Sequence, residues 1–94
     1  MGSSSGTATT RSAFFQDETK DDLRFWIDND RRVALRVTEL VDAVIRDPFE
    51  GIGKPERIRH LGANMWSRRI TQEHRLVYLV RRDRIDFLQC RYHY

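Results

Sequence analysis

With 94 residues, 39% hydrophobic and 33% charged, the chain suits one small domain around a single modest core. One cysteine, Cys90, excludes an intrachain disulfide and fits a reducing cytoplasm, and without an apolar run of spanning length or a signal-peptide pattern no membrane association is expected. The net charge of +3 is unevenly spread: residues 1–50 hold 7 Lys/Arg against 10 Asp/Glu, residues 51–94 hold 10 against 4, and all 3 histidines lie in the second half. A basic half either meets a polyanionic partner or is a solvated face.

Residues 1–10 are small, polar and Ser/Gly/Thr-rich, with the composition of a flexible tail or an expression scar. The folded domain is therefore expected over residues 11–94. Ser12 to Gln16 is a short aromatic run that reads as a strand. From Asp17 the period changes. Asp17, Glu18, Asp21 and Asp22 favour a helix N-terminus, and Leu23, Trp26 and Ile27 mark one helical face. Asp28-Asn29-Asp30 closes that helix and caps a second. Val33, Val37, Leu40, Val41, Val44 and Ile45 then form a continuous apolar stripe, and Pro48 stops it. A linker of about three residues predicts an antiparallel helical hairpin.

Phe49 to Pro55 is a loop with Gly51, Gly53 and Lys54. It lacks the Gly-Lys-Ser/Thr of a phosphate loop, so a nucleotide triphosphate site is rejected. Strands follow at Glu56–His60, Met65–Thr71, His74–Val80 and Ile85–Tyr92. Alternation groups Trp66, Arg68 and Ile70; Arg75, Val77 and Leu79; and Phe87, Gln89, Arg91 and His93. Short turns predict antiparallel meander pairing, with the helices on one face of the sheet and the other face left for function.

Three residues could carry chemistry on RNA. Cleavage by the substrate's own ribose 2′-OH needs a base, a cation for the phosphate oxygens and an acid for the leaving 5′-oxygen, and it needs no metal. No Asp/His set shows metal-ligand spacing, so no cofactor is expected. Glu56, between Lys54 and Arg57, is either the base or a local charge neutraliser. Arg75 is either a bidentate phosphate clamp or a structural ion pair. His93 is either the acid or an exposed terminal histidine. Lys54, Arg59, Arg69 and Arg91 can steer a phosphate backbone, and Tyr92 and Tyr94 can stack on bases. Cys90 reads as core, and His60 and His74 as turn or surface residues.

Pro48-Phe-Glu-Gly-Ile-Gly-Lys-Pro-Glu56, Trp66-Ser-Arg-Arg-Ile-Thr71, Glu73-His-Arg-Leu-Val-Tyr78 and Cys90-Arg-Tyr-His-Tyr94, in this order, resemble the YoeB (Txe) branch of the RelE toxin superfamily. The resemblance covers about residues 11–94. It implies a compact α+β fold like that of microbial ribonucleases. It also implies a toxin of a type II toxin–antitoxin pair that cuts mRNA in the ribosomal A site, giving a 2′,3′-cyclic phosphate.

By position, the family's base falls on Glu56, its phosphate-stabilising arginine on Arg75, its acid on His93 and its substrate-orienting tyrosine on Tyr94. Arg59 and Arg69 match its basic groove, Arg59 where lysine is common. Asn64 stands where relatives often carry glycine, and asparagine is the next-best residue for positive φ. The implied partners are a YefM-like antitoxin, the ribosome with its mRNA, and a second copy in a homodimer. DNA is met only through the antitoxin complex. The alternative within the superfamily is a ParE-like toxin that binds DNA gyrase without cleaving RNA; that branch lacks the Glu56, Arg75, His93 and Tyr94 set.

Overall fold

The computed structural model describes residues 11–92, so the tail 1–10 and the pair His93 and Tyr94 lie outside the described residues. The element order is β1 (Ser12–Phe15), α1 (Asp17–Asn29), α2 (Arg31–Arg46), β2 (Glu56–Arg57), a 3-10 turn (Arg59–Leu61), β3 (Met65–Arg69), β4 (Arg75–Val80) and β5 (Arg84–Gln89). They form one five-stranded sheet in the order β1-β5-β4-β3-β2. From β2 to β5 the pairing is the expected antiparallel meander. β1 instead adds to β5 in parallel, Ser12 opposite Arg84 and Phe15 opposite Phe87. A parallel neighbour requires a long crossover, and the helical hairpin supplies it.

The two helices meet at a tighter corner than the sequence suggests. α1 continues through Asn29, and Asp30 alone joins it to α2. Asp30 is in extended geometry; its N–H bonds to Trp26 O and its carboxylate accepts from Val33 N at 3.4 Å. One residue thus closes the first helix and caps the second. Trp26, Ala34, Val37, Leu40 and Val44 are buried and form the core with Leu76, Tyr78 and Val80 of β4, Ile85 and Phe87 of β5, and Ile70. This is the expected arrangement, with the stripe on one face of the sheet.

Register fixes what the other face carries. Glu56 pairs with Ser67, Ser67 with Val77, and Arg69 with Arg75. Leu79 pairs with Asp86 and Val77 with Gln89. These residues therefore share the face away from the helices, because paired residues project to the same side.

Three expectations change. The strand predicted over Glu56–His60 is only Glu56–Arg57; buried Ile58 then turns the chain, its N–H bonded to Met65 O at 2.8 Å, into the 3-10 turn. The strand from Met65 ends at Arg69 rather than Thr71. The last strand ends at Gln89 rather than Tyr92, and its alternation breaks earlier. Tyr78 pairs with Phe87 while Val77 pairs with Gln89, so Leu88 is an extra residue on β5. A bulge of one residue resets the side to which the strand points. Phe87 consequently lies under the helices and Gln89 on the open face, and the expected set Phe87, Gln89, Arg91, His93 is not one row.

The loop before β2 is held closely. Gly53 has φ +84, and a Cβ there would lie 2.7 Å from Leu40 Cδ2 and 3.3 Å from Arg69 O. Gly53→Ala is expected to cost about 1–3 kcal/mol of stability by urea unfolding, since both the backbone and the packing resist a methyl group. Unchanged stability would contradict this packing. Asn64 adopts the positive φ expected of it, +66, and its carbonyl accepts from Val80 N at 3.0 Å, so asparagine forms the turn.

Candidate active site

Glu56 and Arg75 meet on the open face. Glu56 opens β2, where Pro55 precedes it, and Arg75 opens β4. β3 lies between these strands; Glu56 is opposite Ser67 and Arg75 opposite Arg69, so the two project from the same face two residues apart along the sheet, a diagonal that a long arginine side chain spans. Arg75 Nη1 lies 3.4 Å from Glu56 Oε1. The carboxylate side chain is 63% exposed and the arginine 19%. An exposed, single-contact ion pair contributes only about 0–1 kcal/mol, so the pair is not there chiefly to hold the fold. Arg75 Nε is buried and makes no hydrogen bond to the described residues. A guanidinium with one edge on a carboxylate and a donor left over suits an additional anion.

The other carboxylate on this face is already engaged. Asp86 is 2% exposed and pairs with Arg81 Nε at 2.6 Å and Arg84 Nε at 3.1 Å. Glu56 is therefore the accessible carboxylate of the open face among the described residues.

The predicted basic residues separate into groups. Arg69 sits beside Arg75 in register. Arg69 and Lys54 also line a shallow hollow of about 500 Å³ with Arg36, Gly53, Ile70, Thr71 and Gln72. Lys54 reaches it from a left-handed backbone, φ +52. Arg59 lies on the exposed 3-10 turn after β2. Arg91 is placed elsewhere: its guanidinium carbon is 3.4 Å from the centroid of Phe25 on α1 and 4.9 Å from that of Tyr92, and Nη2 donates to Tyr92 Oη at 3.0 Å. His93 and Tyr94 lie outside the described residues, but Tyr92 is beside the site. Its carbonyl accepts from Arg75 N at 2.9 Å.

Several residues hold this region in roles that the sequence reading does not assign them. Thr19 is buried and its hydroxyl donates to Phe87 O at 2.7 Å. Asp22 Oδ2 accepts from Cys90 N at 3.0 Å, and Trp26 Nε1 donates to Cys90 O at 2.9 Å. Spacings of three, four and seven put all three on one helical face. His74, read as a turn or surface residue, is half-buried and accepts from Tyr92 N through Nδ1 at 2.6 Å. Cys90 is core as expected: burial, helped by the Asp22 charge, pushes its thiol up to about 12.

Burial raises the Asp22 pKa above the ordinary carboxylate value, against the lowering effect of the Cys90 amide bond and the Arg91 charge. An acid whose folded pKa is raised adds stability below its unfolded pKa and loses it as pH climbs through the folded pKa. Asp22→Asn keeps an acceptor for the Cys90 amide but cannot ionise. Its stability relative to the native protein is expected to be greatest at pH 7 and to fall as acidification protonates Asp22. Urea midpoints of both proteins across that range check this; a difference that grows on acidification would refute it.

The description "YoeB-like toxin of bacterial type II toxin-antitoxin system" belongs to the family profile that matches residues 15–94. The toxin YoeB of Escherichia coli is 46% identical over 80 residues, 85% of this chain and 95% of that protein. The solved YoeB dimer from Staphylococcus aureus superposes with a TM-score of 0.82 at 35% identity, covering 90% of this chain and 99% of that one. A YoeB–YefM complex from the same organism gives 0.77 at 35% identity, covering 89% and 98%. With the profile spanning most of the sequence and relatives matching nearly end to end, the chain belongs to the YoeB-like toxins of bacterial type II toxin–antitoxin systems.

Proposed function

We propose that this toxin is a metal-independent endoribonuclease that cuts mRNA in the ribosomal A site. The observation that carries the reading is the meeting of Glu56 and Arg75 at 3.4 Å on the face away from the helices. Glu56 takes the proton from the ribose 2′-OH, and the 2′-oxygen attacks phosphorus. Arg75 binds the non-bridging oxygens, where negative charge grows as the P–O bonds rearrange. His93 gives a proton to the departing 5′-oxygen. The products are a 2′,3′-cyclic phosphate and a 5′-hydroxyl. Tyr94 orients the substrate.

The ion pair must loosen for phosphate to enter, and Glu56, largely exposed, is the partner free to swing away. Lys54, Arg59 and Arg69 steer the RNA and ribosome backbone, and their contribution should weaken with salt. Arg91, drawn onto Phe25, would first have to leave that ring to join them. The proposed partners are a YefM-like antitoxin and a second copy of the chain. The Staphylococcus aureus YoeB–YefM complex and YoeB dimer support both. The proposed compartment is the cytoplasm, where ribosomes are; no helix among the described residues is long and apolar enough to cross a membrane.

Mapping 3′ ends of mRNA held in programmed ribosomes tests the reading. Cyclic-phosphate ends at A-site codons are expected, with naked RNA cut far more slowly. Equal rates on naked RNA would remove the ribosome from the mechanism. Intact mRNA with a gyrase-dependent DNA-damage response would replace the reading with the ParE-like one.

A further inference from the structure

β5 leaves the sheet ladder at Gln89, yet the backbones of Cys90 and Tyr92 beyond it remain hydrogen-bonded. Side chains replace the ladder. Asp22 and Trp26 of α1 take both polar groups of Cys90, at 3.0 and 2.9 Å. Two adjacent residues, His74 and Arg75, take both backbone polar groups of Tyr92. His74 Nδ1 accepts its N–H at 2.6 Å, and Arg75 N–H donates to its carbonyl at 2.9 Å.

The imidazole is itself fixed. It lies edge-on to Trp26 with centroids 4.7 Å apart and against the Tyr92 ring at 5.3 Å. Between these two bonds Tyr92 has φ +63, a conformation that side chains other than glycine, asparagine and aspartate rarely adopt. Such a conformation persists only where its surroundings impose it, and it gathers at functional sites. Arg75, whose backbone holds Tyr92, is also the residue whose guanidinium meets Glu56.

We infer that His74 is a positioning residue: by accepting the Tyr92 amide it fixes Tyr92 against Arg75, and so sets the point from which the chain continues to the acid and tyrosine of the ribonuclease reading. The inference rests on the ribonuclease reading above. His74 does not touch substrate in this scheme; it acts through Tyr92. An acceptor nitrogen at Nδ1 places the ring proton on Nε2, which fixes the tautomer.

Two substitutions and one measurement on the native protein test it. His74→Leu removes the acceptor and keeps bulk; His74→Asn offers Oδ1 close to where Nδ1 stands. On programmed ribosomes His74→Leu is expected to cut the saturated rate by roughly 10²-fold, with half-saturation moved little, because misplacing a reacting group costs rate rather than binding. Hydrogen exchange at the Tyr92 amide should quicken about tenfold or more as the segment opens locally. His74→Asn should recover much of both.

In native protein the ¹⁵N shift of His74 should show an unprotonated, hydrogen-bonded Nδ1, a readout that holds even if His74→Leu fails to fold. A protonated Nδ1, a Tyr92 amide equally protected in His74→Leu, or a His74→Asn no better than His74→Leu would each overturn the inference. Native protein that does not cleave would overturn the ribonuclease reading and His74's part in it. The amide and imidazole signals distinguish that result from a failure of the contact itself.

Discussion

Glu56→Gln is expected to lower the rate of mRNA cleavage on programmed ribosomes by roughly 10²–10⁴-fold, the usual scale for loss of a general base. Glutamine keeps the shape and a hydrogen-bond acceptor for Arg75 but cannot take the 2′-OH proton. Arg75→Lys should cost about 10²–10³-fold, since an ammonium keeps the charge but loses the fork that spans two phosphate oxygens. His93→Ala should abolish detectable cyclic phosphate.

Stability separates catalysis from folding here. The Glu56 side chain is 63% exposed and its one ion pair is single-contact. Its loss should therefore change the unfolding free energy, read from urea melts, by less than about 1 kcal/mol. Undiminished cleavage by Glu56→Gln and His93→Ala would sink the assignment. A parallel loss of fold and activity would show that these groups are structural.

Arg68→Met is expected to have the largest effect on stability. Arg68 is 0% exposed and lies on the helix side of the sheet, its Cα paired with that of Leu76. Its guanidinium donates to Ile52 O at 3.1 Å, Glu50 O at 3.0 Å, Asp47 O, and Tyr78 Oη at 3.2 Å. Tyr78 Oη in turn donates to Pro48 O at 2.7 Å. Asp47 is the C-cap of α2, so the cation also sits at the negative end of that helix.

Methionine matches the stem but strands three carbonyls and a phenol that the guanidinium served. Breaking such a buried network costs about 3–5 kcal/mol. For a domain this size that is a drop in Tm of at least roughly 12 °C. Lysine should not rescue, because one compact ammonium cannot reach four acceptors spread around a planar fork. A Tm within about 3 °C of native, read by thermal melting, would contradict this account. Because the same loop leads into Glu56, a folded Arg68→Met variant should also cleave poorly.

Arg68 shows where sequence reading stopped short. Alternation put it in one row with Trp66 and Ile70, and the structure keeps that row. The signal was present: an arginine at the apolar parity of a strand must find buried acceptors. Which acceptors they were could not be read, because they come from a loop 16 to 21 positions away in sequence. The bond made by His74 is hidden from the sequence for the same reason, since its partner Tyr92 is 18 positions distant. Arg91 was grouped with the RNA-facing cations on charge alone, whereas Phe25 offers its guanidinium a ring face.

By itself the sequence determined the helical stripe, the stop at Pro48, the order of the strands after it and the face on which Arg75 lies. These depend on periods of 3.6 and 2 and on the backbone chemistry of proline, all local properties. Tertiary structure alone decided the parallel addition of β1, the corner at Asp30, the bulge at Leu88 and the early end of β5. It also decided that Glu56 and Arg75, 19 positions apart, stand 3.4 Å from each other. Register is set by how whole strands pair and by which side chains compete for unpaired backbone groups, and a shift of one residue turns a side chain to the opposite face.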